Sequence, residues 1–300
     1  MHGVIDIGSN TVRLSVFRTD DGLVQNLFNE KQTVGLAGYR KDGRLTEEGI
    51  KVLIQTLSDF KDLIDHFEDI RYTHAIATAS IRNVSNSEEV LARVKSEVGI
   101  DIEILSGEEE AYLAFIGAGH SVDLREDGVL ADIGGGSTEV VLFRHRGIVD
   151  SGSLDIGSLS VFRDYVSGLF LADDERKEMD KRLKFLLDAQ GIPRDHYPVL
   201  CAVGGSARAT LKLYNALYDE HPHNDEMRTD DLKTLMKHVL EMDDKEKMQI
   251  ILKVKADRIH TLLPGLCILY RIAKYFRVET IAVSQTGIRE GYVMSRIIGG

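Results

Sequence analysis

Short aliphatic runs alternate along this chain with longer stretches in which apolar positions recur at intervals of three and four. The opening segment "GVIDIGSNTVRLSVF", from Gly3, begins a region of two strands and a hairpin that extends to about Phe28. A polar stretch, "FNEKQTVGLAGYRKDGRL", follows, and then Thr46, Glu47 and Glu48 mark a helix start. Leu53, Leu57, Phe60, Ile64 and Phe67 form one apolar face of that helix. "THAIATASI" reads as a buried strand running into a loop with Arg82 and Asn83, and "SEEVLARVKSEVG" as a helix stopped by Gly99. "IDIEIL" alternates as a strand should. "SGEEEAYLAFIGAGH" begins a helix in which Ser106 and Glu109 have capping-box spacing. Strands alternating with helices of this length predict an α/β layer fold.

One position breaks the pattern. A strand that only packs has no use for Asp6 at its tip, because a carboxylate there is costly unless it meets a cation, a donor or water. The later segment "VLADIGGGSTEVVLF" can be laid on the first without a gap by superposing the two Asp-Ile-Gly triplets. Asp6, Ile7, Gly8 and Phe17 then fall on Asp132, Ile133, Gly134 and Phe143, four identities in twelve positions, and the Thr11 hydroxyl falls on Ser137. Matching strand, turn, strand units in two halves predict a duplicated domain whose turns face one cleft. In Gly8-Ser9-Asn10-Thr11 and Gly134-Gly135-Gly136-Ser137-Thr138, glycines allow close backbone approach, and N–H groups with hydroxyls form an anion nest suited to phosphate. The aspartate before each turn, Asp6 or Asp132, can hold Mg²⁺ with water and phosphate oxygens. Turn capping alone is the plainer reading of one such hairpin, and two copies in register argue against it.

Composition sets the surroundings. At 300 residues the chain exceeds the usual single core, so two domains are expected. A net charge of −11 opposes non-specific binding to nucleic acid or anionic lipid, so an anionic ligand needs a local basic pocket or a metal ion. Cys201 and Cys267 lie far apart without zinc spacing and read as core thiols. Strand-like residues begin almost at Met1, and no apolar run approaches about 20 residues. A soluble cytoplasmic protein without a membrane or nucleic-acid partner is the expectation.

The stretches "DIGSNTVRL", "ATASIRNVSN", "ILSGEEEAYLAFIG", "DIGGGSTEVVLF", "CAVGGSARA", "LLPGLCILYRIAKYF" and "VSQTGIREGY" give the chain its resemblance to the exopolyphosphatase and guanosine pentaphosphate phosphohydrolase family, within the actin, sugar kinase and heat-shock ATPase fold group. They run in family order from Gly3 to Tyr292, with "DIGGGSTE" and "SGEEEA" the most specific pair. The resemblance implies duplicated RNase-H-like, actin-like ATPase domains, an interdomain phosphate-binding cleft, Mg²⁺, and hydrolysis of a terminal phosphoanhydride. The expected domains are 1–124 and 125–300, with a hinge near 121–128 and a C-terminal helix at about 287–300 packing back on the first domain.

Carried over by motif, the catalytic glutamate is Glu110, with Asp132, Gly134 and Glu139 as further matching positions. Three consecutive glutamates point about 100° apart on a helix, so one of Glu108, Glu109 and Glu110 can face a cleft and the other two suit a solvated helix start. The implied reaction is attack of water on the terminal phosphoryl group with Glu110 as base. Asp6, Asp132 and Glu139 are the expected metal residues. Phosphate contacts are expected from Gly8, Ser9, Asn10, Thr11, Gly134, Gly135, Gly136, Ser137 and Thr138, together with Arg82 and Arg258, which match basic positions of the family. Arg13 and Arg208 are weaker candidates. Where many relatives carry a basic residue this chain has Gly35, a slot that Arg40 or Lys41 could fill. Inorganic polyphosphate is the expected substrate and guanosine pentaphosphate the alternative. A kinase or a non-catalytic alarmone sensor would share the turns, the first needing an adenosine pocket and the second no Glu110. Family members often form dimers, which leaves a homodimer open. In "DEHPHNDEMRTDD", His221, His223 and Asp225 match no established zinc pattern and read as a solvated loop. "LADDERKEMDKRLKFLLDAQGI" reads as a charged amphipathic helix ending at Gly191.

Overall fold

The computed structural model describes residues 1–20, 23–124 and 126–299, so Arg125, in the stretch expected to carry the hinge, lies outside the described residues. The chain divides into two compact units: Met1–Leu113 with the segment from Arg289 on, and Ala114–Ile288.

In the first unit, strands β1 (His2–Ile7), β2 (Thr11–Asp20) and β3 (Leu23–Thr33) form a meander. A small hairpin, β4 (Arg40–Lys41) and β5 (Arg44–Leu45), leads to helix α1 (Glu47–Asp65). Thr46 caps α1 by accepting from the Gly49 N–H, as its sequence predicts. α1 stops before Phe67, which is 44% exposed and leaves the apolar face one residue short of expectation. Strand β6 (Tyr72–Ala77), the short helix α2 (Ala79–Arg82), helix α3 (Ser87–Val98), strand β7 (Ile102–Ile104) and helix α4 (Gly107–Ala118) follow. α3 ends at Gly99, whose φ of 81° a side chain would resist. The sheet order is β3-β2-β1-β6-β7, antiparallel across the meander and parallel beyond it.

The second unit repeats this plan. Strands β8 (Gly128–Ile133), β9 (Thr138–Arg144) and β10 (Gly147–Leu154) form its meander. Helices α5 (Ser158–Tyr165) and α6 (Asp173–Gln190), strand β11 (Val199–Val203), helix α7 (Gly204–Tyr218) and strand β12 (Glu226–Arg228) come next. Helices α8 (Thr229–Glu241), α9 (Asp244–Lys255) and α10 (Leu262–Tyr275) precede strand β13 (Thr280–Val283). α6 ends at Gly191 as predicted, with φ 71°. The order is β10-β9-β8-β11-β13, with β12 added at the edge. The duplication extends to register: His2↔Phe17 and Ile7↔Val12 in the first hairpin become Gly128↔Phe143 and Ile133↔Thr138 in the second, each residue advanced by 126.

Strand alternation explains why an acid tolerates the strand tip. In β1, Ile5 and Ile7 enter the first core with Leu53, Leu57 and Phe60, which puts Asp6 on the other face. In β8, Val129, Ala131 and Ile133 enter the second core, so Asp132 also lies on the opposite face. In the first unit that face receives the C-terminal segment, α11 (Ile288–Tyr292) and a wider π-turn over Val293–Ile298. Arg289 reaches Ser15, Tyr292 donates to Glu103 at 2.9 Å, and Arg296 pairs with Glu109 at 3.0 Å.

Candidate active site

Each Asp-Ile-Gly turn closes with the same bond: the Gly8 N–H donates to the Thr11 carbonyl at 3.0 Å, and the Gly134 N–H to the Ser137 carbonyl at 3.0 Å. Each is also gripped through its carbonyls. In the first unit the N–H groups of Val34 and Gly35 donate to the Asn10 carbonyl and that of Ala37 to Ser9. In the second the Ser158 N–H donates to the Gly134 carbonyl, and those of Leu159 and Ser160 to Gly135. A trans peptide directs its N–H opposite its C=O. With the carbonyls turned into the protein, the N–H groups of Asn10, Thr11, Gly135 and Gly136 face the other way, the arrangement of an anion nest. Gly35 has φ 65° where its N–H bonds Asn10, so conformation accounts for glycine in the slot where a basic residue was expected. Arg40 and Lys41 are exposed on β4.

The two acids have different neighbours. Across the strands, Asp6 pairs with Arg13 and Arg13 with Lys31, one row on one face. Burial raises the Asp6 carboxyl above the ordinary range, against the pull of Arg289 and Arg13 and with a smaller push from Glu290. Asp132 instead pairs with Glu139, and Glu139 with Ser153, whose hydroxyl donates to the Glu139 carboxylate at 2.8 Å. Glu139 is buried and Asp132 partly so. Among the described residues no three His, Cys, Asp or Glu side chains gather as a metal cage. Mg²⁺ needs only one or two carboxylates beside water and phosphate oxygens, and the adjacent Asp132 and Glu139 meet that requirement.

The three glutamates of α4 separate as their helical spacing requires. Glu108 is exposed. Glu109 completes the capping box, accepting from the Ser106 N–H at 2.9 Å while its own N–H donates to the Ser106 hydroxyl at 3.1 Å, and the Ser106 N–H bond holds its carboxyl below the usual range. Glu110 is buried and paired with Arg82, whose guanidinium also donates to the Leu105 carbonyl at 2.7 Å. The first unit thus brings Arg82 and Glu110 together.

In the second unit, Gly204 and Gly205 open α7 at the Asp132 end of the sheet. Gly204 has φ 92°, and a Cβ there would stand 2.6 Å from Asp132 Oδ1. A Cβ on Gly205 would overlap the Arg258 guanidinium, which also reaches the Ser206 hydroxyl at 3.4 Å. Ser137 is buried on the turn, and the Thr138 hydroxyl is directed inward to the Ile156 carbonyl at 2.7 Å. Arg208 donates to the Ser284 carbonyl at 3.2 Å. Sequence reasoning missed Gly157, Ser158 and Ser206. A Cβ on Gly157 would meet the Gly135 carbonyl at 2.6 Å, and the Ser158 hydroxyl donates to Gly134 at 3.1 Å and accepts from Ser206 at 3.1 Å. The available signal was a third Asp-Ile-Gly, Asp155-Ile156-Gly157. His221 and His223 are exposed, their rings tilted at 41° with centroids 5.4 Å apart, as a solvated loop allows.

A model of the Ppx/GppA phosphatase family matches residues 15–298. The crystal structure of an Aquifex aeolicus member of that family is similar to this chain at 26% identity and TM-score 0.81, with 99% of this chain and 97% of that chain covered. An exopolyphosphatase from Cytophaga hutchinsonii is similar at 25% identity and TM-score 0.87, covering 99% and 98%. No helix among the described residues is long and apolar enough to cross a membrane.

Proposed function

Because the chain belongs to the Ppx/GppA phosphatase family and is therefore a phosphohydrolase, we propose that it is an exopolyphosphatase, cleaving the terminal phosphoanhydride of inorganic polyphosphate and releasing phosphate. The observation that carries this reading is the selection of Glu110 from three adjacent glutamates: it alone of the three is buried, and there it pairs with Arg82. A water oxygen attacks the terminal phosphorus, Glu110 accepts the water's proton, and the bridging oxygen leaves on the shortened chain. Arg82 holds the Glu110 carboxylate in place. In each unit the N–H groups of the turn suit phosphate oxygens, and in the second unit Arg258 adds a cationic fork for them.

Mg²⁺ held by Asp132 and Glu139 would neutralise charge developing on the bridging oxygen. Asp6 lies beside Arg13 and Arg289, whose positive charges would make it the weaker Mg²⁺ ligand. Glu110→Gln keeps the side chain's size and removes its basicity, so it should lower kcat by about 10²–10⁴ while tripolyphosphate binding survives. Phosphate release at the wild-type rate would refute the assignment.

A further inference from the structure

Between the glycine turn of the second unit and Arg258 lie two serine hydroxyls with no assigned part in the reaction. Ser158 opens α5, Ser206 lies in the first turn of α7, and both are fully buried. Ser158 fills the Gly134 carbonyl from two sides, its N–H donating at 2.9 Å and its hydroxyl at 3.1 Å. A serine has one hydroxyl proton, so with that proton committed to Gly134 the Ser158 oxygen accepts from Ser206, at 3.1 Å. Ser206, its own proton given to Ser158, accepts in turn from the Arg258 guanidinium at 3.4 Å. A guanidinium has no acceptor and a carbonyl no donor, so the two ends fix the direction of every bond between them. Gly205 and Gly265 leave the room: a Cβ on Gly205 would overlap the guanidinium, and one on Gly265 would stand 2.7 Å from the Ser206 Cβ.

The series ends on the peptide that joins Gly134 to Gly135. Its carbonyl receives the Ser158 hydroxyl, and its N–H, on Gly135, is one of those that face the nest. Hydrogen bonds in series polarise one another, so the positive charge of Arg258 strengthens a backbone donor through three hydrogen bonds. In the first unit Ser80, on the helix that follows β6, donates directly to the Ile7 carbonyl at 2.8 Å, and the N–H of that peptide, on Gly8, is spent closing the turn.

We propose that Ser158 and Ser206 are positioning residues that couple Arg258 to the Gly135 N–H, so that the guanidinium and the backbone donor act on a bound phosphate group as a unit. The inference rests on the phosphohydrolase reading for its ligand, and its test reads binding apart from turnover. The ¹⁵N-labelled protein is titrated with inorganic phosphate, which it cannot hydrolyse, and ¹H–¹⁵N spectra give both the dissociation constant and the Gly135 amide shift. Wild type, Ser158→Ala, Arg258→Ala, the double variant and Ser206→Ala are compared. Ser158→Ala should weaken phosphate about fivefold, the scale of one hydrogen bond, and Arg258→Ala about tenfold or more. The double variant should bind within about 1.5-fold of Arg258→Ala, because the series is already cut. Independent losses that multiply would overturn the coupling. Ser206→Ala leaves the Ser158 contact with Gly134 and removes its link to the arginine, so in the phosphate-free protein the Gly135 proton should move upfield. An unmoved resonance would overturn the relay even if phosphate failed to bind. Phosphate release from tripolyphosphate by the wild type is assayed in parallel, and its absence would sink the phosphohydrolase reading while the Gly135 shift still decides the relay.

Discussion

The hairpins of the two units share register, turn closure and carbonyl bracing, and differ in what faces the aspartate. Asp6 has arginines as neighbours, Arg13 across the strand and Arg289 from the C-terminal segment. Asp132 has a second acid, Glu139, at the equivalent of Arg13. The cross-strand partner is an arginine in the first hairpin and a glutamate in the second, so the first pairs an acid with a base where the second sets two acids side by side. The two copies share a scaffold and differ in the residue set across from the aspartate.

The bracing of the turns offers the largest break. In the second unit, Gly157→Ala would push a methyl against the Gly135 backbone, which cannot yield as a flexible side chain can. The expected cost is about 3 kcal/mol in a denaturation experiment, at the upper end for overpacking. Asp132→Asn should raise the Mg²⁺ concentration for half-maximal activity about tenfold or more, whereas Asp6→Asn should leave it nearly unchanged, as read from activity against added Mg²⁺. Equal shifts would erase the distinction between the hairpins. In the first unit, Gly35→Ala meets no atom within 4 Å and strains only its backbone, so about 1 kcal/mol is expected.

The smallest effect is pH-dependent. Burial lowers the His2 and His74 pKa values below 6.5, helped at His2 by the N-terminal ammonium and opposed at His74 by Glu103. The folded histidines stay neutral where the unfolded chain takes up protons, so stability should fall as pH drops below 6.5. Melting temperatures of wild type and His74→Phe across that range should diverge, with the variant less acid-sensitive.

Much of this arrangement was legible in the residues. Thr46, Ser106, Gly99 and Gly191 announced their caps because capping depends on local chemistry. The two Asp-Ile-Gly triplets revealed the duplicated α/β plan because hairpin register follows from turn length. Helical spacing limited the inward glutamate to one of three, but the residue beside it could not be read. Arg82 stood out as a phosphate ligand, and its contact with Glu110 depends on two segments 28 residues apart. Gly157 and Ser158 were missed for the same reason, since they pack against and bond to a turn formed more than 20 residues earlier.

Water attack on the terminal phosphorus is the step from which the rest of the chemistry follows. Tripolyphosphate turned over in ¹⁸O-labelled water with Mg²⁺ should yield phosphate carrying one solvent oxygen and pyrophosphate carrying none. Label in the pyrophosphate, or no phosphate released without an added acceptor, would contradict it.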